Sequence, residues 1–282
     1  MREDFAVFIC THGRPNKQLT LNTLRNCGYT GKIYLVLDDT DSTIQQYIDI
    51  YGTDNILVFD KNYFINTCYK GSSENVYKCI LYAKAAVEFI AKDMGLKSFV
   101  IADDDIIKFR FRYIENNKLC STPVSNLNGV LDLYIDYLLD SNITTLGFGT
   151  VHTYIGGIKG LTAYNLTNRR FTYNFILRNA EKPVTWYSEM NEDSITPVLM
   201  GLSGQVWLQL PFVQLDMLPC RAGSSGGMSE VYSSMTEFKQ FSYFILHTPS
   251  CVSLLKRYGK YTHAFDRNKT FVKIISDKFK KE

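Results

Sequence analysis

The chain has 282 residues, of which 45% are hydrophobic and 21% charged, and this is ordinary for a soluble globular protein of one large or two small domains. Its formal net charge of +3 excludes the strongly basic surface of a dedicated duplex-binding protein, although it leaves room for a local basic patch. No apolar stretch approaches the roughly 20 residues that a membrane-spanning helix needs.

The first hundred residues alternate predicted strands and helices. Apolar runs predict strands at 5–10, 32–37, 55–59 and 99–102, and helical spacing predicts helices at 19–27, 42–51 and 74–94. This rhythm predicts an α/β fold with a doubly wound parallel sheet.

The pattern after residue 105 is mixed. It predicts strands at 108–113, 144–151, 172–177 and 205–211, and helices at 126–139, 194–202, 231–244 and 249–258. A glycine-rich segment at 222–228 has the composition of a mobile lid. Because no linker or internal repeat interrupts the chain, we expect a single domain, 1–282, with two halves, 1–111 and 112–282.

Seven cysteines are scattered without CxxC pairs or histidine partners at zinc-ligand spacing. They predict reduced, buried thiols and a cytoplasmic protein. The first residues enter a strand without a signal-peptide pattern, which agrees with that expectation. Aromatic residues, at 14%, favour flat surfaces for stacking on sugars or bases and equally favour a packed core.

Three adjacent carboxylates, Asp103, Asp104 and Asp105, end the fourth predicted strand. Adjacent carboxylates repel one another, so water or a cation must neutralise them, and their oxygen atoms suit Mg²⁺ or Mn²⁺ bound together with substrate phosphates. Ligands of open α/β sheets bind at such strand ends. The triplet therefore predicts a metal–diphosphate site, and the alternative is a solvated acidic turn. Asp38 or Asp39 and Asp60, which end the second and third strands, are expected at the same edge.

A four-strand half that ends in an Asp-x-Asp motif, followed by Asn191-Glu192-Asp193, resembles the GT-A-type glycosyltransferases. The segments FICTHGRP at 8–15, IADDDI at 101–106 and GGMSEVY at 226–232 resemble phage-encoded DNA-base glycosyltransferases of the TET-associated kind. The resemblance implies a GT-A-like fold, in which a Rossmann-like nucleotide-binding half with a mixed central sheet joins an acceptor-binding half.

The resemblance also implies the reaction. A sugar would pass from a UDP-sugar to a hydroxymethylated pyrimidine, such as hydroxymethylcytosine, in phage DNA within the host cytoplasm, with Mn²⁺ or Mg²⁺ as cofactor. Two alternatives remain open: a polysaccharide, lipid or protein acceptor, and a nucleotide-binding or nucleotidyltransferase-like module.

For the chemistry, the resemblance implies Asp105 as the first metal ligand and Asp103 as a second ligand or a contact to the ribose. A histidine late in the chain often reaches the metal in this fold, and His263 is the candidate, with His247 as competitor. Asp193, beside Glu192, is the candidate general base. Two structural alternatives stand beside these roles: Asp104 as a solvated carboxylate, and Asp193 as the N-cap of its helix.

Further residues are expected to bind the two substrates. The nucleotide-sugar candidates are Thr11, Gly13, Arg14, Asp39, Asp103, Asp104 and Trp186. Trp186 is proposed to stack on a sugar or a flipped base, whereas Trp207 is expected in the core. The candidate contacts to DNA phosphates are Lys108, Arg110 and Arg112, joined by Arg169 and Arg170; the alternative is a solvated mixed-charge surface.

Overall fold

The computed structural model describes residues 2–71, 79–163, 170–218, 235–257 and 259–270. The strands are β1 (Phe5–Cys10), β2 (Lys32–Asp38), β3 (Ile56–Phe59), β4 (Ser98–Asp103), β5 (Ile106–Glu115), β6 (Lys118–Pro123), β7 (Thr145–Gly149), β8 (Phe175–Asn179), β9 (Trp207–Met217), β10 (Val252–Arg257) and β11 (Lys260–Phe265). The α-helices are α1 (Leu19–Asn26), α2 (Ile44–Tyr51), α3 (Lys61–Thr67), α4 (Leu81–Asp93), α5 (Leu127–Asp140), α6 (Gly157–Ala163), α7 (Glu192–Leu202), α8 (Glu237–His247) and α9 (Arg267–Thr270).

A central sheet joins nine of these strands in the order β3-β2-β1-β4-β8-β7-β9-β5-β6. Strands β1 to β4 pair in parallel, whereas β4 with β8, β8 with β7, and β9 with β5 pair antiparallel. The predicted α/β class, with a parallel first half and a mixed sheet, is confirmed.

The side chains of β1 enter two hydrophobic cores on opposite faces of the sheet. Phe5, Val7 and Ile9 pack on the core shared with α1, α2 and α5, and the alternate residues pack on the core shared with α3 and α4. A strand that is buried on both faces needs apolar residues at every position, which explains the continuous apolar run at 5–10.

The chain crosses the sheet directly after the acidic triplet. Strand β4 ends at Asp103 and β5 begins at Ile106. Strand β5 nevertheless lies four positions away from β4 in the sheet order, between β9 and β6. The predicted boundary between the two halves of the chain, near Phe111, falls inside β5. The predicted strands at 144–151, 172–177 and 205–211 correspond to β7, β8 and β9 in the same sheet.

The helix predicted at 249–258 is wrong, because β10 and β11 form an antiparallel hairpin. Its turn contains Gly259 with a φ of +79°, a conformation that suits glycine. Leu254 and Leu255 follow Cys251 by three and four residues, which is helical spacing, but the segment packs beside α8 as a hairpin. Helix α3 and strand β6 carry patterns too short to predict. The segment 222–228 and the starts of the helices predicted at 74 and 231 lie outside the described residues.

None of the helices in the described ranges is long and apolar enough to cross a membrane. The six cysteines within those ranges are unpaired thiols, but the prediction that they are buried holds for only three of them, Cys10, Cys79 and Cys251.

Candidate functional site

A cavity of about 440 Å³ opens at the carboxyl ends of the parallel strands. It lies where β1 has β2 on one side and β4 on the other, so the strand order reverses there, as at ligand sites of open α/β sheets. The residues predicted for the site that line it are Thr11, Arg14, Asp103, Asp104, Asp105, Glu192 and Asp193.

The acidic triplet is held by α1. Thr20, which is fully buried, donates its hydroxyl hydrogen to the Asp103 carbonyl (2.5 Å) and accepts from the backbone N–H of Ile106 (2.9 Å). Its own N–H donates to the Asp104 carbonyl (3.2 Å). One threonine therefore fixes the backbone on both sides of the turn that carries the carboxylates.

The alternative of Asp104 as a solvated carboxylate is wrong. Its side chain is buried and accepts hydrogen bonds from the Thr11 hydroxyl (2.7 Å) and from Arg14 Nη1 (3.0 Å). Asp104 thus joins the loop after β1 to the turn after β4, and both of its oxygen atoms are occupied by protein donors.

Asp103 and Asp105 have the more open positions. Asn174 Nδ2 donates to Asp103 Oδ2 at 2.7 Å, and Asp105 Oδ1 is buried without a hydrogen-bond partner among the described residues. Burial, reinforced by the charges of Asp103 and Asp104, raises the pKa of Asp105 to about 7. A buried, unpartnered carboxyl oxygen with this pKa gains from a nearby cation.

These two carboxylates fit a divalent cation that also binds a diphosphate. Hard oxygen ligands suit Mg²⁺ and Mn²⁺, and Mg²⁺ commonly uses one or two carboxylates together with substrate phosphates. Within the described ranges, no group of three or more His, Cys, Asp or Glu side chains is arranged to hold a metal by itself. A metal at this site would therefore depend on the donor phosphates for further ligands.

A second pair of acids faces the cavity from the first turn of α7. Its N-cap is Asn191, in the left-handed conformation with a φ of 58°, so the alternative of Asp193 as N-cap is wrong. Burial, together with the charge of Glu192, raises the pKa of Asp193. The Ser194 hydroxyl donates to Asp193 Oδ1 at 3.3 Å.

The loop after β1 forms the opposite wall. Tyr47, fully buried on α2, lies 3.0 Å from the Thr11 hydroxyl and accepts from the backbone N–H of Arg14 (2.9 Å). Gly13 does not line the cavity; its φ is +66° and its N–H donates to Asp41 Oδ2 at 2.7 Å. The glycine therefore allows the turn from which its neighbours His12 and Arg14 reach the cavity.

Asp38, rather than Asp39, lines the cavity at the end of β2. Burial alone would raise its pKa, but a hydrogen bond with His12 (2.9 Å), together with Thr40 and the charge of Lys61, holds the pKa of Asp38 well below its usual range. Asp39 is exposed and accepts from the backbone N–H of Lys61 at the start of α3. The assignment of Asp39 to the donor site is therefore corrected.

Trp186 and His263 do not line the cavity. Trp186 is 2% exposed and packs edge-on against Trp207, so it offers no face to a sugar and that expectation is wrong; Trp207 is in the core, as predicted. His263 stacks on Phe244 of α8 with 4.0 Å between ring centroids, and burial lowers its pKa. The competitor His247 is also outside the residues that line the cavity.

Two of the three basic candidates on β5, Arg110 and Arg112, contact neighbouring side chains. Lys108, Arg110 and Arg112 alternate with buried Phe109, as a period of two requires. Arg110 forms an ion pair with Asp216 (2.7 Å), and the Arg112 guanidinium lies 4.6 Å from the Tyr154 ring centroid.

The two remaining basic candidates lie elsewhere. Arg170 is 3% exposed, so the expectation that it meets DNA phosphates is wrong. Arg169 is outside the described residues.

Among the charged, imidazole and amide side chains that line the cavity, four were not anticipated: His12, Lys61, Lys84 and Asn174. Lys84 had a signal in the sequence, because it falls four residues after Ile80 and three before Val87 on the apolar face of the helix predicted at 74–94. A charge on such a face indicates a buried partner. The other three follow or precede strands, where spacing carries no comparable signal.

A model of the TET-associated glycosyltransferase family matches residues 5–213. No curated protein matches the chain. Similar solved structures include mannosyltransferase PcManGT from Pyrobaculum calidifontis in complex with GDP-Man and Mn²⁺ (12% identity, 79% of this chain and 59% of that chain, TM-score 0.48).

Two further solved structures are similar over much of the chain. One is S. aureus TarS, residues 1–349, with 14% sequence identity, 74% of this chain and 59% of that chain covered, and a TM-score of 0.41. The other is glucosyl-3-phosphoglycerate synthase from Mycobacterium tuberculosis with Mn²⁺, UDP and phosphoglyceric acid, with 11% sequence identity, 93% of this chain and 86% of that chain covered, and a TM-score of 0.44. The chain thus spans 59% of the length of PcManGT and of the TarS fragment.

Proposed function

This chain belongs to the TET-associated glycosyltransferase family, and we propose that it moves a sugar from a UDP-sugar to a hydroxymethylated pyrimidine base in DNA. The observation that carries the proposal is the cavity at the ends of β1 and β4, which places Asp103 and Asp105 in one cavity with Glu192 and Asp193. Phage DNA in the host cytoplasm is the proposed setting.

One side of the cavity is suited to the donor. The Arg14 guanidinium provides positive charge beside Thr11, and a guanidinium can hold a diphosphate through paired hydrogen bonds. Asp103 and Asp105 would hold Mn²⁺ or Mg²⁺. The bound ion supplies charge neutralisation for the diphosphate that leaves.

The other side is suited to the acceptor. Asp193 accepts the proton of the hydroxymethyl group while the acceptor oxygen bonds to the anomeric carbon, and the bond from that carbon to the UDP oxygen breaks. The raised pKa of Asp193 gives the carboxylate more basic strength than an ordinary aspartate. The proposed acceptor base must leave a DNA stack to reach the cavity. Lys108, Arg110 and Arg112 are the proposed phosphate contacts.

The experiment is UDP release from a panel of UDP-sugars with Mn²⁺, with and without DNA that contains hydroxymethylcytosine, followed by mass analysis of the nucleosides. We expect DNA to stimulate release and the modified nucleoside to gain the mass of one sugar. Asp105→Asn keeps the side-chain shape but weakens the metal site, so turnover should fall by about 10²-fold or more while the fold is retained.

Asp54→Asn is the matched control, because this aspartate is exposed and outside the cavity, and its turnover should equal wild type. Slow release without stimulation by DNA would reject the DNA acceptor and direct the search to polysaccharides, lipids or proteins. Full turnover by Asp105→Asn would reject the metal site.

A further inference from the structure

Lys84 is a buried cation in the wall of the cavity. Its side chain is 3% exposed, although lysine is among the residues least often buried. A buried ammonium is costly unless it is paired. The proposed reaction assigns it no role, so its position in the cavity needs an explanation.

Two groups hold this ammonium. Lys84 Nζ donates to Glu192 Oε1 at 2.7 Å and lies 5.0 Å from the ring centroid of Trp186. The Trp186 indole in turn donates to Glu88 Oε1 at 3.2 Å, one turn further along α4. The cation is therefore bound on one side and packed against an anchored ring on the other, which leaves it little freedom to move.

The ion pair fixes the first turn of α7. Glu192 is the first residue of that helix and is 7% exposed, and Asp193 follows it. Successive residues of an α-helix point about 100° apart around its axis. A Glu192 side chain that is held in place thus sets the direction in which Asp193 projects. Both carboxylates line the cavity, but only Glu192 is in an ion pair with Lys84.

We propose that Lys84 is a positioning residue that holds Glu192 in this ion pair and leaves Asp193 as the carboxylate that meets the acceptor hydroxyl. The inference rests on the proposed sugar transfer and gives the two adjacent acids different roles. A direct contact between Lys84 and the donor diphosphate is the competing role, and it would change the donor KM rather than kcat.

A double-mutant cycle on the full chain tests the proposal, with Lys84→Met, Glu192→Gln and the double variant. The kcat and the donor KM come from UDP release, and urea unfolding is followed in parallel. Lys84→Met leaves the Glu192 charge buried and unpaired, so we expect kcat to fall about 10²-fold at an unchanged donor KM. Adding Glu192→Gln removes that charge, and kcat should recover about tenfold.

Tyr29→Phe is the control. It removes a hydroxyl that donates to the Lys32 carbonyl at 3.0 Å from a side chain that is 1% exposed, and Tyr29 lies outside the residues that line the cavity. It should lower the urea midpoint and leave kcat unchanged. A folded Lys84→Met variant with wild-type kcat, a rise in donor KM alone, or no recovery in the double variant overturns the proposal.

The double variant keeps the proposal testable if Lys84→Met does not fold. Its kcat should equal that of Glu192→Gln, since Lys84 then has no carboxylate to position, and a further drop would overturn the proposal. If wild type releases UDP but DNA does not stimulate release, the DNA acceptor fails and the cycle on UDP release still decides the role of Lys84. A wild type that releases no UDP from any donor overturns both proposals.

Discussion

Asp193 differs from an ordinary aspartate in its surroundings rather than in its chemistry. Burial and the adjacent Glu192 disfavour its charged form, so its pKa lies above the ~3.9 of a free aspartate. A general base works only when deprotonated. We therefore expect kcat/KM to fall as the pH drops through this raised pKa and to reach a plateau above it, in a profile measured from about pH 5 to about pH 9.

The variant Asp193→Glu gives the control for that profile. It keeps a carboxylate but moves it to a different environment. The fall of kcat/KM at low pH, the acid limb of the profile, should therefore occur at a different pH from that of wild type. Asp54→Asn should keep the wild-type limb. An acid limb that stays at the same pH in Asp193→Glu would assign the titration to another group.

The three adjacent aspartates show how far single residues could be predicted. Their place at a strand end follows from local pattern, so the triplet and its edge of the sheet were predictable. Their separate environments were not. Asp104 is buried by Thr11 and Arg14, which are about ninety residues away in sequence, whereas Asp105 keeps an unpartnered oxygen. Such differences depend on which distant segments meet the turn.

Helix α1 contributes to the site by holding the acidic turn. Thr20→Val keeps the shape of the side chain but removes the hydroxyl that bonds the Asp103 carbonyl and the Ile106 N–H. The buried N–H of Ile106 would then lack a partner, and we expect a loss of about 1–3 kcal/mol in the free energy of unfolding, measured in urea. Turnover should also fall because the turn carries Asp105.

Thr67→Val is the matched control. Its hydroxyl donates to the Tyr63 carbonyl within α3, and the residue is exposed. Its free energy of unfolding should stay within about 0.5 kcal/mol of wild type, as for most surface substitutions. Equal stability of Thr20→Val and Thr67→Val would show that α1 does not hold the turn.

Elements with strong internal patterns could be predicted from the sequence, and elements defined by their partners could not. The parallel strands are buried on both faces and therefore have continuous apolar runs, which made β1 and β2 recognisable. The hairpin β10–β11 has no comparable apolar run, and its leucines are compatible with a helix as well as with a strand. Its strand pairing is decided by contact with α8, which no local spacing reveals.

At the scale of the whole molecule, the basic residues of β5 are the proposed contacts to DNA phosphates. We expect affinity for hydroxymethylcytosine DNA to fall with salt, and the slope of log affinity against log salt to decrease by about 1 for each phosphate that a variant no longer neutralises. Lys108→Ala with Arg112→Ala tests this, since Arg110 is already paired with Asp216. Binding is measured at several salt concentrations.

Lys97→Ala is the control, because this exposed lysine precedes β4, which lies four positions away from β5 in the sheet order. It should leave the slope unchanged. An unchanged slope in the double variant would remove β5 from the DNA interface.

The order of the nine strands lay beyond prediction from sequence. A local pattern shows where a strand occurs, but the pairing of β4 with β8 and of β7 with β9 joins segments separated by more than fifty residues. For the first four strands, alternation with helices predicted parallel pairing and a shared edge, because right-handed crossovers between parallel strands leave few arrangements. That edge does carry the cavity, whereas the candidates Glu192 and Asp193 on α7 came from the family resemblance and not from the pattern of the chain.

The buried bonds among Thr11, Arg14, Tyr47 and Asp104 have a consequence for the thermodynamics of donor binding. These bonds hold the loop after β1 through protein groups alone, so a nucleotide-sugar would meet a preorganised surface and little conformational entropy would be lost there on binding. Tyr47→Phe would release the loop from α2 without touching the cavity. Its effect should appear in calorimetry as a more unfavourable entropy of binding.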